Sequence, residues 1–269
     1  MIAHLARDTQ SERGWYNLPM LSQTALGQKH KNKDWVGYGI VATIVLLIVY
    51  GLLSPSLYYK VGVAFFGEIP SLYNVRVAKY LFTYASYPPV GKAEAYAHHQ
   101  LSRTLFILGD LEGSRTEAER ELIAYPDHIQ TRYVLALAYG HLGENERAIE
   151  EFSVFIEKYP TSWVGRNDKA WVQFRAGDVR GALQTIEPIV EDNEDNPWVQ
   201  NTYGLVLLSL GRYDEAKEAL FNAQEASYVL SQHPPTVPYP SVDPDIYEAE
   251  FRAMQNSIES NIRMLESKR

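Results

Sequence analysis

The chain has 269 residues, 46% of them hydrophobic and 22% charged, and no cysteine. This composition excludes a largely disordered chain, and the missing thiols exclude disulfides, thiolate metal sites and thiol chemistry. The net charge of −8 is uneven, because residues 1–54 set Arg7, Arg13, Lys29, Lys31 and Lys33 against Asp8, Glu12 and Asp34, a sum of +2 that leaves −10 for the rest. So acidic a body argues against nucleic acid, since neutralising phosphates needs a basic face.

In chain order, residues 1–34 read as a tail, expected to be disordered, whose cluster Trp15, Tyr16, Leu18, Met20 and Leu21 is alternatively a short docking motif. Residues 35–54, WVGYGIVATIVLLIVYGLLS, then run without a charge. Twenty helical residues match a hydrocarbon core of about 30 Å, and the Val, Ile and Leu content makes insertion favourable by a few kcal/mol. Trp35 and Tyr38 stand at one end and Tyr50, Tyr58 and Tyr59 at or beyond the other, where amphipathic rings prefer the headgroup layer. A buried core helix of this length would show a polar face, and a cleaved signal peptide would show a small-residue cleavage site where Pro55 follows Ser54. The expectation is a single transmembrane helix that contacts lipid through residues 35–54. Lys29, Lys31 and Lys33 precede it and Lys60 alone follows closely, so the positive-inside bias puts the N-terminus in the cytoplasm. In a bacterial inner membrane, residues 55–269 are then periplasmic.

Residues 55–94 read as a juxtamembrane segment, with Tyr58, Tyr59, Phe65 and Phe66 on the interface or on a membrane-embedded partner. They end in an amphipathic cap helix from Ser71 to Tyr87, stopped by Pro88-Pro89. Beyond it lies an internal repeat. Gly109, Gly143, Gly177 and Gly211 recur every 34 residues inside LGDLEGS, LGENERA, AGDVRGA and LGRYDEA. Five residues after each glycine stands a small residue: Ser114, Ala148, Ala182 or Ala216. Apolar residues at helical spacing flank each glycine, as with Leu135, Tyr139 and Leu142 before Gly143 and Ala148, Phe152, Phe155 and Ile156 after it. The pattern predicts four helical hairpins over 95–228, each reversed at a glycine and closely crossed at a small residue. Tyr125-Pro126 and Tyr159-Pro160 close two copies, and Asn196-Pro197 opens the last as N-cap and first helical residue. Residues 229–243 read as a proline-rich linker. Residues 244–269 read as a helix with the apolar stripe Ile246, Phe251, Met254, Ile258, Ile262 and Leu265, suited to capping an array or to binding a partner.

No catalytic or metal site emerges, and no cofactor is implied. His98 and His99 are adjacent and diverge by about 100° on a helix. The run Glu191-Asp192-Asn193-Glu194-Asp195 lacks the alternating ligands and central glycine of a calcium loop. No glycine loop suits a phosphate.

The 34-residue period resembles the tetratricopeptide repeat. Residues 129–160 fit its pattern at Leu135, Ala136, Tyr139, Gly143, Ala148, Phe152 and Pro160, and residues 197–228 at Tyr203, Gly204, Leu207, Gly211, Tyr213, Ala216, Leu220 and Ala223. Residues 95–126 match at Leu101, Ser102, Leu105, Gly109, Ala118 and Pro126. Residues 163–196 depart at Lys169 and Gln173 but keep Ala170, Gly177, Ala182, Ile186 and Ile189. The fold implied is all-α: a transmembrane helix, then a tetratricopeptide-like solenoid with a C-terminal capping helix.

In such arrays the first helices line a concave groove that binds protein partners. Carried over, those positions are His99, Arg103 and Phe106, then Tyr133, Leu137 and His141, then Asn167, Trp171, Phe174 and Arg175, and last Trp198, Asn201 and Leu205. Asn167 and Asn201 match a carboxylate clamp, whereas Leu137, Trp171 and Leu205 break it, leaving an aromatic groove suited to a segment anchored by apolar side chains. Trp171 and Trp198 are equally read as gap fillers between repeats. The resemblance implies a non-enzymatic scaffold or assembly factor for a membrane or periplasmic complex. A targeting receptor facing the cytosol is the alternative, which the lysine cluster opposes.

Overall fold

A computed structural model describes residues 38–46, 48–68, 74–232 and 244–268, and among these every regular element is a helix. The chain divides into two units, residues 1–52 and 53–269. The first contributes helical residues 38–46 and 48–52 (α1), whose described side chains are almost all exposed. No single helix among the described residues is long and apolar enough to cross a membrane. The tail at 1–34 lies outside the described residues.

The second unit opens with α2 (Pro55–Val63), a single π turn (Ala64–Glu68) and α3 (Val75–Ser86). α3 is the expected cap helix, begun by Asn74, whose side chain accepts from the Val77 amide; residues 71–73 of the expected span lie outside the described ones. α2 is a correction. The aromatic residues of α2 and the π turn do not face outward: Phe66 is buried with Phe82, Ala78, Leu101 and Leu105, Tyr59 and Phe65 pack on that cluster, and Tyr58 stacks on Tyr84 at 3.9 Å. A Cβ on Gly62 would stand 2.7 Å from the Phe82 ring, so the absence of a side chain there is what lets α2 reach α3.

Four hairpins follow: α4 (Ala97–Ile107) with α5 (Leu111–Ala124), α6 (Ile129–Leu142) with α7 (Asn145–Lys158), α8 (Trp163–Arg175) with α9 (Val179–Ile186), and α10 (Pro197–Ser209) with α11 (Tyr213–Gln232). The four periodic glycines all take left-handed backbone, with φ between +76° and +87°. Side-chain-bearing residues resist that conformation, which explains the invariance of glycine within this chain. Seven residues before each glycine stands Ser102, Ala136, Ala170 or Gly204, and five after it the small residue already noted. All eight are buried. In the first copy the two serines bond across the crossing, Ser102 Oγ donating to the Ser114 carbonyl at 2.9 Å.

Two boundaries differ from expectation. The second helix of the third copy is short, because Pro188 lacks an N–H and the chain passes into 3₁₀ turns at Glu187–Ile189 and Glu191–Asn193. The buried Gln173 of that copy is satisfied by the Thr185 hydroxyl, which donates to it at 2.7 Å. α11 runs to Gln232, into the expected linker, since no proline intervenes before Pro234 and Leu230 packs on the next helix.

That helix, α12 (Pro244–Glu266), packs on α10 and α11. Phe251, Met254, Ile258 and Leu265 are buried and Ile262 partly so. It therefore caps the array as the apolar stripe implies, covering core that an open end would expose.

Gly204→Ala tests the crossing. The new methyl would lie 2.7 Å from Cγ of Leu220, which is fully buried, and 3.3 Å from its amide nitrogen. Overpacking of about 1–3 kcal/mol exceeds the helix-propensity gain of about 1 kcal/mol. The variant is expected to melt several degrees lower, read by circular dichroism.

Candidate functional site: an aromatic groove with a carboxylate in its wall

The first helices of the hairpins turn one face to a cavity of about 580 Å³. Phe106 closes one end from α4, Tyr133, Leu137 and His141 enter from α6, Asn167 and Trp171 from α8, and Trp198 and Asn201 from α10. The structure thus brings eight of the expected groove residues together. Trp171 packs against His141 (ring centroids 5.5 Å apart), on the core cluster around Phe152 and Val172, and beside Arg175, whose guanidinium lies 4.6 Å from the indole centroid. Arg175 is therefore part of the groove wall through Trp171 rather than a lining residue.

Four expected residues lie elsewhere. His99, on the first turn of α4, is buried against α6, its Nδ1 3.0 Å from the Thr131 hydroxyl and its backbone N–H donating to Glu121. Burial, aided by the charge of Arg103, pushes its pKa down to about 3, so it is a neutral packing group. Arg103 reaches back to lie 4.7 Å over the Phe66 ring. Phe174 packs into the core around Ala170, Ile186 and Val199, and Leu205 is half-buried on α10 outside the cavity lining. Helical spacing identifies a face but not its depth, and the array covers both ends of that face. The neighbouring His98 turns the other way and pairs with Glu117 at 2.6 Å.

α12 occupies the far end of the groove. Phe251 meets Trp198 edge-on at 6.4 Å. Asn201 donates to Ser257 Oγ at 3.1 Å and accepts from Asn261 Nδ2 at 2.9 Å. Ala253, Met254 and Ser257 complete the cavity wall. With Asn201 engaged by the cap and Asn167 donating to Asp168 at 3.2 Å, the two amides at clamp positions are committed to internal partners.

Asp168, which the repeat pattern did not single out, lies in the cavity wall beside Trp163. Tyr133 donates its hydroxyl to Asp168 Oδ2 at 2.5 Å. Burial pushes the carboxyl pKa up to about 6, against the pull of the Tyr133 and Asn167 hydrogen bonds. The signal was available in the sequence: the residues at the same place in the other copies, Gln100, Val134 and Thr202, are uncharged. His141, the other titratable imidazole or carboxylate of the lining, is held below its usual pKa by burial and by Arg175 and is neutral at pH 7.

Residues 130–162 and 167–228 match the family description tetratricopeptide repeat. Among solved structures of similar fold, MamA from Desulfovibrio magneticus RS-1 is 12% identical, with a TM-score of 0.54 over 67% of this chain and 97% of that one. MamA AMB-1 is 17% identical, with a TM-score of 0.53 over 67% and 98%. A thermophilic tetratricopeptide repeat protein of Thermus thermophilus is 19% identical, with a TM-score of 0.50 over 75% and 98%. At these identities the likeness is one of fold. No curated protein matches the chain in sequence.

Asp168 makes a stability prediction. A carboxyl whose folded pKa is raised from 3.8 to about 6 binds its proton more tightly when folded, so its contribution is full below pH 4 and is lost as pH rises to 6. Asp168→Asn removes the cost of the charge while keeping the shape. At pH 7.5 it is expected to stabilise the protein by about 1–3 kcal/mol, and at pH 4 the two proteins should melt alike.

Proposed function

We propose that this chain, a tetratricopeptide-repeat protein, is a non-enzymatic scaffold that holds a segment of a partner protein in its aromatic groove while α1 and its flanks anchor it to a membrane. The observation that carries the scaffold reading is the cavity: three indoles, Phe106 and Tyr133 face a concave space of about 580 Å³ at the middle of an otherwise well-packed array. Rings of this kind supply large contact area at small entropic cost.

Support for the anchor comes from the uncharged run 35–54 and from the exposure of its described apolar side chains, among them Ile40, Val41, Leu46, Ile48 and Leu52. Side chains of this kind, uncovered by protein, are stabilised by lipid. The lysines at 29, 31 and 33 support a cytoplasmic N-terminus and a repeat domain across the membrane, which in a bacterium means the inner membrane and the periplasm. The partners are then subunits of a membrane or periplasmic assembly.

A mild-detergent purification of the tagged native chain, followed by mass spectrometry, tests the scaffold. Trp171→Ala is expected to lower recovery of a defined partner set at least tenfold, with a melting temperature within a few degrees of wild type because Trp171 borders the cavity. Loss of the fold, or equal recovery by both proteins, overturns the groove reading. The absence of native cysteine makes topology equally accessible. A single cysteine replacing the exposed Lys92 should react with a membrane-impermeant maleimide from the periplasmic side, and protection until lysis would place the repeats in the cytosol.

A further inference from the structure

Asp168 is an expensive residue in an aromatic wall, and its cost invites a reason. Its neighbour adds a second observation. Asn167 is 7% exposed, and its Nδ2 donates to Asp168, which fixes the orientation of the amide. Its Oδ1 is then a buried acceptor without a hydrogen-bond partner among the described residues. Leaving a buried acceptor unsatisfied costs about 1–3 kcal/mol. Asn167 and Asp168, the latter ionised at neutral pH, thus both belong to the lining of a cavity walled mostly by rings and aliphatic side chains, with Asn201, Thr202 and Ser257 among its uncharged polar members. Among the described residues neither has a cationic partner: Asp168 receives its hydrogen bonds from Tyr133 and Asn167.

We propose that the groove recognises its partner segment through an arginine side chain whose guanidinium is held by Asp168 and Asn167 Oδ1 and lies against the surrounding indoles. The inference rests on the groove reading above and names the chemistry that reading leaves open. Arginine fits each element of the wall. Its planar head donates in several directions at once and satisfies a carboxylate and a carbonyl together. It also stacks on aromatic faces, which the compact, strongly hydrated ammonium of lysine does less well. Charge agrees at longer range, because the body of the chain carries −10 and draws a basic segment. Arg175, stacked on Trp171, shows that the same indole already accepts a guanidinium on one side.

The test uses the full chain in detergent on an array of blocked dodecapeptides. Each has a Gly-Ser background, a Leu-Phe pair, and a guest residue at varied distance from the pair: arginine, lysine, citrulline or glutamate. One further peptide, of about twenty residues, reproduces residues 7–26 of the chain. Arginine guests are expected to bind at least tenfold more tightly than citrulline, which has the same shape and no charge. In Asp168→Asn, shown folded by its melt, that ratio should fall below threefold. Equal binding of arginine and citrulline, a preference for glutamate, or an unchanged ratio in the variant overturns this inference and leaves the groove reading standing. Binding of the 7–26 peptide alone would replace the partner protein with a segment of this chain and overturn it as well. If no member binds, the groove reading fails and the inference with it.

Discussion

The hairpins of the second unit depend on the close approach of their two helices. Small residues stand buried seven positions before the periodic glycine and five positions after it. Ser102 bonds to Ser114, Ala136 shares a cluster with Ala148 and Ala170 with Ala182, and Gly204 lies against Leu220. With so little side chain at the crossing, the larger residues are displaced to either side. There they build the clusters around Phe152, Ile186 and Leu220. The left-handed glycine between the helices sets the angle at which they return. Hairpin, core and groove all follow from that close approach, because a wider crossing would separate the first helices and erase the concave face.

Much of this is legible in the residues themselves because it is enforced by steric exclusion. Only glycine takes φ near +80° without strain, and only small residues fit a crossing, so both constraints leave marks at a fixed period. The same reasoning identified the Asn196-Pro197 start, where the Asn196 side chain accepts from the amides of Trp198 and Val199, and the capping stripe of α12. What escaped reading depends on contacts distant in sequence. The aromatic residues of α2 and the π turn adjoin an apolar run and look membrane-facing by position; only the meeting of Gly62 with Phe82 shows that they belong to the core. α11 overran its expected end because Leu230 gained a neighbour in α12, beyond a proline-rich stretch that has no periodicity.

The groove was legible in part for the same reason. Helical spacing located the inward face, and the cavity collects Phe106, Tyr133, Leu137, His141, Asn167, Trp171, Trp198 and Asn201 from it. His99 and Phe174 share that periodicity but sit where neighbouring helices close over them, one against Thr131 and the other among Ala170 and Val199. Depth is set by the packing of one repeat on the next, which spacing within a repeat does not encode. Asp168 escaped because a repeat pattern names the positions that copies share. The residue that departs from its counterparts carries the chemistry that only this copy has.

α12 has one more consequence. By seating Phe251, Met254 and Ser257 against the fourth hairpin, it ends the concave face at Trp198. In the proposed scaffold the cap works as the stop of a ruler. The length of chain that can lie in the groove is measured from Phe106 to the cap and not by the number of repeats. Inserting a further hairpin before α12 would lengthen the gauge by one unit, whereas adding one before α4 would leave the stop untouched.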